Sequence, residues 1–163
     1  MNKFRYEELT WPEMRVAISH QPVVLLPFGA VEDHGPHLPL NTDNVIVEAI
    51  CLDSARRAPG EMLVMPLVAY GLDEHHMDFP GTISVDMQTL LASVADVAAS
   101  VARHGFIHVL IVNGHGSNAA IADLAQDATA EELLSDSGVL RELKKRLAET
   151  ALEVEKTDHL GYE

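Results

Sequence analysis

An apolar segment passes directly into a polar loop rich in glycine and proline at residues 26–43, LPFGAVEDHGPHLPLNTD. The run Val23 to Phe28 is short and wholly apolar, which predicts a strand buried on both faces of a parallel sheet. Open α/β sheets bind their ligands beyond the carboxyl ends of the strands. The polar residues of this loop are therefore expected at a ligand-binding edge.

Three side chains of this loop suit a metal ion. Glu32 and His34 are two positions apart, so in an extended chain they project to the same side. Carboxylate oxygens and imidazole nitrogens are ligands of zinc, manganese and iron, and Asp43 can add another from the start of a helix over 43–57. Thr42 or Asp43 is expected to cap that helix, where a carboxylate is favoured by the helix dipole and is free to bridge two cations. The alternative is a polar turn with solvated histidines.

A second polar turn follows another apolar run. Residues 106–112 predict a buried strand, which leads into Asn113-Gly114-His115-Gly116-Ser117-Asn118. The glycines permit a tight strand-to-helix turn that presents His115 at the same sheet edge as Glu32 and His34. The alternative, an ordinary turn in which Ser117 or Asn118 caps the next helix, leaves His115 without a purpose.

A third loop, residues 71–82, also carries acidic and histidine side chains after an apolar run. In this loop His76 could act as an acid, a hydrogen-bond donor to substrate or an additional ligand, and Phe79 to Thr82 predicts a rigid turn that holds it. Adjacent histidines on a polar surface loop are unremarkable alone. Three such loops together point to one site.

The chain alternates between predicted strands and helices. Strands are expected at 22–28, 62–68 and 106–112, and helices at 43–57, 86–104 and 117–134. Helix 86–104 has an apolar stripe at helical spacing and Gly105 after its end. Alternation of this kind predicts an α/β fold with a mainly parallel sheet and helices on both faces.

The alternation of predicted strands and helices ends near residue 135, where Asp136-Ser137-Gly138 predicts a break. Residues 139–156 predict an amphipathic helix, whose stripe is Leu140, Leu143, Leu147, Ala151 and Val154. We expect it to pack on the sheet or on a neighbouring subunit. No repeat or long linker divides the sequence, which predicts a single domain over 1–163, with 135–163 as its helical C-terminal segment.

Composition narrows the class of protein. The chain has 163 residues, 47% of them hydrophobic, so it can bury a core without disulfides, and the one cysteine, Cys51, is expected inside that core. We expect a cytoplasmic protein, because cysteine usage fits a reducing compartment and no signal peptide or apolar membrane span is visible. A formal charge of −14 argues against nucleic acid and anionic membranes as partners.

The three loops resemble the motifs of the creatininase, or creatinine amidohydrolase, family. Residues 26–43 are similar to L-P-x-G-x-x-E-x-H-G-x-H-L-P-x-x-T-D, residues 76–82 to H-x-x-F-P-G-T, and residues 113–118 to N-G-H-G-x-N. The resemblance implies an α/β/α sandwich, a homo-hexamer and two divalent metals (zinc, manganese or iron) that hydrolyse non-peptide or cyclic C–N amide bonds. It places Glu32, His34, Asp43 and His115 at the metal positions, with Asp43 as the bridge. Residues 7–13 resemble the family's short opening helix.

The sequence departs from the family at two places. Ser117 stands where creatininase itself has a glutamate ligand of the second metal, which puts strict creatinine specificity in doubt. The family's later H-A-G-x-x-E-T segment has only the echo H-x-G-x-E at residues 159–163. These differences suggest a shortened member, a fragment, or a second metal that is weakly held or absent.

The expected activity follows from metal chemistry. One or two divalent ions per subunit would activate a water for attack on the amide of a small cyclic amide, ureide or formamide-like substrate. His76, or else His159, would protonate the leaving nitrogen, and backbone N–H groups at Gly116 and Ser117 would contact the oxyanion or substrate. The alternatives are a metal-binding but catalytically impaired or fragmentary homologue with an interaction role, and a different α/β enzyme or binding domain that uses these loops for an anionic ligand without metal.

Overall fold

The computed structural model describes residues 3–118. Three helices alternate with three strands: α1 Trp11–His20, β1 Val23–Phe28, α2 Thr42–Arg57, β2 Met62–Val64, α3 Met87–Arg103 and β3 Val109–Asn113. Short 3₁₀ helices occupy Tyr6–Glu8, Glu74–His76 and Gly116–Asn118. Among these residues, none of the helices combines the length and apolar character needed to cross a membrane. The sequence-predicted helices at 117–134 and 139–156, apart from the first residues of the former, lie outside the described residues.

The three strands form one parallel sheet in the order β2-β1-β3. Phe28, the last residue of β1, is paired with Asn113, the last residue of β3. The two strands therefore end at the same level, and the loops that follow them leave the sheet side by side. The predicted parallel sheet is confirmed.

Side chains of β1 alternate between two helical layers. Leu25 packs with Val47 and Cys51 of α2, whereas Leu26 and Phe28 pack with Leu90, Leu91 and Val94 of α3. A strand covered on both sides has no polar face, which explains why its sequence is continuously apolar. The three-layer α/β/α arrangement and the burial of Cys51 in the core are confirmed.

Some element bounds differ from the sequence prediction. The strand expected at 62–68 ends at Val64, close to Pro66, which has no N–H to donate. Beyond Val64 the N–H of Met65 still donates to the carbonyl of Leu25, and an isolated bridge joins Val68 to Phe28. The strand expected from 106 begins at Val109, although Phe106 is buried in the core. Hydrophobicity alone does not separate a core residue before a strand from the strand itself.

Two helix starts were also predicted wrongly. The opening helix expected at 7–13 is instead a 3₁₀ turn followed by α1, which begins after a capping box between Thr10 and Glu13. The N-cap of α2 is Asn41, not Thr42 or Asp43. The helix begins at Thr42, whose hydroxyl donates to the carbonyl of Pro39, and Asp43 lies inside its first turn.

Candidate metal centre

Close packing of α2 on the end of β3 positions the site. Gly114 directly follows β3, and a Cβ atom at this position would lie 2.6 Å from the Cβ of Val47 on α2. Only glycine allows this approach without displacing the helix. Asp43 lies one helical turn before Val47, so the same packing carries its carboxylate to His115, the residue after Gly114.

Three of the predicted ligands converge in the interior. Glu32, Asp43 and His115 are 7%, 8% and 6% exposed. The Nδ1 atom of His115 lies 3.0 Å from Oε1 of Glu32 and 2.9 Å from Oδ2 of Asp43. Ligand atoms around a tetrahedral zinc ion are about 3.4 Å apart, given bonds of about 2.1 Å. Both distances are within about 0.5 Å of this spacing, and one ligand atom from each of the three residues lies within 4.8 Å of the others.

The fourth predicted ligand, His34, stands on the other side of Asp43. Its Nε2 atom is 3.0 Å from Oδ1 of Asp43 and 4.0 Å from Oε1 of Glu32. Asp43 thus directs one oxygen to His34 and the other to His115. This is the orientation that a bridging carboxylate requires, and the assignment of His34 to a second ion stays a prediction.

Asp73 is a site residue that the sequence analysis missed. It is fully buried, and its Oδ1 lies 2.7 Å from Nε2 of His115. A carboxylate on the second ring nitrogen fixes the tautomer and orientation of a metal-binding histidine, here with Nδ1 toward Glu32 and Asp43. The sequence carried no signal for it, because Asp73 is one of several acidic residues in the 71–82 loop and only tertiary structure separates them.

Asn118 joins the three loops of the site. Its Oδ1 accepts a hydrogen bond from the N–H of Leu72, and its Nδ2 donates to the carbonyl of Gly29. The side chain is fully buried. Asn118 therefore holds the loops after β1 and β3 and the 71–82 loop together, a role that differs from the helix cap considered for it in the sequence.

The remaining predicted residues border this centre. His76 places Nε2 at 3.6 Å from Oε2 of Glu32, with 31% of its side chain exposed. Ser117 lies beside the neighbouring His75, with Oγ and Nε2 3.5 Å apart, and a side chain at Gly116 would meet open space. The predicted second acid, His159, lies outside the described residues.

A family model for creatinine amidohydrolase matches residues 7–161. This chain belongs to the creatininase family. Creatinine amidohydrolase of Pseudomonas putida is 36% identical over 132 residues, covering 77% of this chain and 50% of the relative. The mycofactocin precursor peptide peptidase of Mycolicibacterium smegmatis is 38% identical over 101 residues, covering 60% of this chain and 40% of that protein.

A solved structure described as "Creatininase Mn" aligns with a TM-score of 0.71 and 33% identity. The alignment covers 88% of this chain and 54% of the other. The chain thus spans about half the length of the creatininase-family proteins that it matches.

Negative charge is concentrated in the creatininase-type centre of this chain. Burial raises the pKa of Glu32, and the carboxylates of Asp73 and Asp43 raise it further against the opposing effect of His115. Burial likewise raises the pKa of Asp73. For His34, burial alone would lower the pKa, but the carbonyl of Glu32 and the carboxylates of Asp43 and Glu32 outweigh it and raise the pKa.

Unpaired oxygens in the centre fit a bound cation. Oε2 of Glu32 and Oδ2 of Asp73 are buried without a hydrogen-bond partner among residues 3–118, whereas Oδ1 of Asp73 lies against Nε2 of His115. Buried carboxylates are normally paired or coordinate metals. Carboxylate and imidazole donors together suit zinc, manganese or iron, so the residues present fit the metal that the family implies.

Proposed function

We propose that this chain binds a divalent cation between Glu32, Asp43 and His115 and uses it to hydrolyse a C–N bond in a small amide. One observation carries the proposal: three buried ligand side chains from three separate segments converge at the carboxyl edge of the sheet. Burying two carboxylates is unfavourable unless a cation or a hydrogen-bond network compensates them. A bound divalent cation would supply this compensation for Glu32 and Asp43.

Each residue of the centre has a separate role in the proposed reaction. A divalent cation, when bound, supplies Lewis acidity, which lowers the pKa of water and polarises an amide carbonyl. Glu32 and Asp43 contribute the negative charge that holds it, and His115 contributes a neutral nitrogen whose direction Asp73 maintains. The family resemblance assigns His34, whose Nε2 lies 3.0 Å from Oδ1 of Asp43, to a second ion that would share Asp43.

Protonation of the leaving nitrogen is assigned to His76. Its Nε2 faces Glu32 at the margin of the centre, and its partly exposed ring can exchange protons with solvent. Backbone N–H groups at Gly116 and Ser117 are proposed to contact the substrate or the developing oxyanion. A side chain added at Gly116 would meet open space, so there is room for a substrate beside this residue. His159 is the second proposed acid.

The proposed substrate is a small cyclic amide, ureide or formamide-like molecule. Similarity to a creatinine amidohydrolase supports this class, whereas similarity to a peptide peptidase favours a peptide C–N bond as a second candidate. The further alternative is a homologue that binds metal without turnover. The single domain over 1–163, the homo-hexamer and the cytoplasmic location stay predictions.

The test is hydrolysis by the full chain loaded with manganese or zinc. Creatinine, cyclic amides, ureides, formamides and short peptides are incubated with the protein, and release of the new amine is measured. Activity should require metal and disappear in His115→Ala, whereas His37→Ala, which changes an exposed histidine of the same loop, should keep it. Stoichiometric metal with every substrate intact would favour the inactive homologue, and cleavage of peptides alone would favour the second candidate.

A further inference from the structure

A second group of ligand atoms lies beside the first centre. One atom each from Glu32, His75 and His76 lie within 4.8 Å of one another. We propose that these residues form a second cation site, which shares Glu32 with the Glu32–Asp43–His115 centre. This site differs from the pairing of His34 with Asp43 that the family resemblance suggests.

The carboxylate of Glu32 faces both groups of ligands. Its Oε1 lies 3.0 Å from Nδ1 of His115, and its Oε2 lies 3.6 Å from Nε2 of His76. Oε2 is buried and has no hydrogen-bond partner among the described residues, and Glu32 as a whole is 93% buried. Each oxygen of a carboxylate can bind its own cation, so Oε2 remains available when Oε1 serves the first centre.

The two histidines are held together by a short turn. They are consecutive in the 3₁₀ helix Glu74–His76, and their rings meet edge to face with centroids 4.3 Å apart. The N–H of His76 donates to the carbonyl of Asp73, and its own carbonyl accepts from the N–H of Phe79. The turn is therefore anchored at Asp73, the residue that also faces His115.

His34 is less well placed for a second cation. Its close acidic neighbour is Asp43, and neither group of three ligand atoms found within residues 3–118 includes it. Ser117, which lies next to His75, offers a neutral hydroxyl rather than a carboxylate. Oε2 of Glu32 has no hydrogen-bond partner among the described residues and lies 3.6 Å from Nε2 of His76.

The donor set defines the class of cation. Two imidazoles and one carboxylate with open coordination positions suit zinc, iron or manganese rather than calcium or magnesium. His75 is exposed, so this site should exchange its cation more readily than the buried centre. A consequence for activity rests on the proposed function, in which His76 is the acid. A cation on Nε2 of His76 would then block proton transfer, and excess metal would inhibit hydrolysis.

Metal stoichiometry tests the second site independently of activity. The metal-free full chain is dialysed against increasing zinc, bound metal is measured by elemental analysis, and affinities are measured by calorimetry. We expect about two equivalents in the unsubstituted protein and about one in both His75→Ala/His76→Ala and Asp43→Asn, because each variant removes one site. Glu32→Gln should weaken both sites, and the exposed control His37→Ala should bind as the unsubstituted protein does.

The outcomes separate the two proposals. Equal zinc binding by His75→Ala/His76→Ala and the unsubstituted protein would overturn the second site, whether one equivalent is bound or two. A single equivalent that disappears in His75→Ala/His76→Ala but survives in Asp43→Asn would support the second site and reject the first centre. Both histidines are at least partly exposed, so their replacement should leave the circular dichroism spectrum and thermal unfolding unchanged.

Discussion

Replacing Asp73 with asparagine should weaken metal binding and stabilise the metal-free protein. Asp73→Asn keeps the shape of the side chain and an oxygen acceptor, but removes the negative charge 2.7 Å from Nε2 of His115. That charge makes the imidazole a stronger ligand and holds Nδ1 toward Glu32 and Asp43. The same charge is fully buried, and its second oxygen, Oδ2, has no hydrogen-bond partner among the described residues, which is unfavourable when no cation is present.

The magnitude follows from the position of Asp73 behind a ligand. Removing such an outer partner lowers metal affinity by about 10- to 100-fold, which corresponds to about 1.4–2.8 kcal/mol of binding free energy.

The effect of Asp73→Asn on the free energy of unfolding of the metal-free protein has the opposite sign, because the substitution stabilises the fold. Because burial raises the pKa of Asp73, the folded protein holds a proton on it at a pH where the unfolded chain has already lost that proton. The free energy of unfolding therefore falls as pH rises through this interval.

Two assays check these signs. Zinc competition with a chromogenic chelator measures affinity, and urea unfolding of the metal-free protein from about pH 5 to about pH 8 measures stability. The Asp73→Asn variant should gain more stability at the upper end of this range than at the lower end, since only the charged form is penalised. A change in zinc affinity of less than about twofold would refute the positioning role of Asp73. A variant less stable than the parent at neutral pH would refute the burial argument.

Three further perturbations test the packing of the site. Gly114→Ala should lower the free energy of unfolding by about 1–3 kcal/mol through its clash with Val47, and adding Val47→Ala should restore part of this loss; an unchanged urea midpoint would contradict the close approach. Burial raises the pKa of Cys51 to about 11, so a thiol reagent should label native protein far more slowly than unfolded protein, and fast native labelling would show that Cys51 is accessible. Asn118→Ala leaves the N–H of Leu72 and the buried carbonyl of Gly29 without these partners and should cost about 1–3 kcal/mol for each; an unchanged midpoint of thermal unfolding would contradict the role of Asn118.

The core elements could be predicted because their patterns are local. The continuous apolar run of β1 reports burial on both faces, and the stripe of α3 with Gly105 after it reports a helix against the sheet. The ends of the strands and helices were harder to predict from the sequence. The strand expected at 62–68 ends near Pro66, and the N-cap of α2 is Asn41 rather than Thr42 or Asp43. Such ends are set by individual hydrogen bonds, to which a hydrophobic pattern is insensitive.

At the metal centre, the sequence identified the ligand residues, whereas the contacts around them depend on tertiary structure. The sequence by itself identified Glu32, Asp43 and His115 as candidate ligands, from their residue types and their place in the loops that follow buried strands. It also predicted the parallel α/β fold, which brings the ends of the strands to one edge. Tertiary structure alone decided that Asp73 stands behind His115, that Asn118 ties the loops together, and that His75 and His76 face the free oxygen of Glu32. The physical reason is that these roles depend on distances of about 3 Å between atoms from separate loops. Such distances are set by the packing of α2 and the loops on the sheet, and no spacing along the chain encodes them.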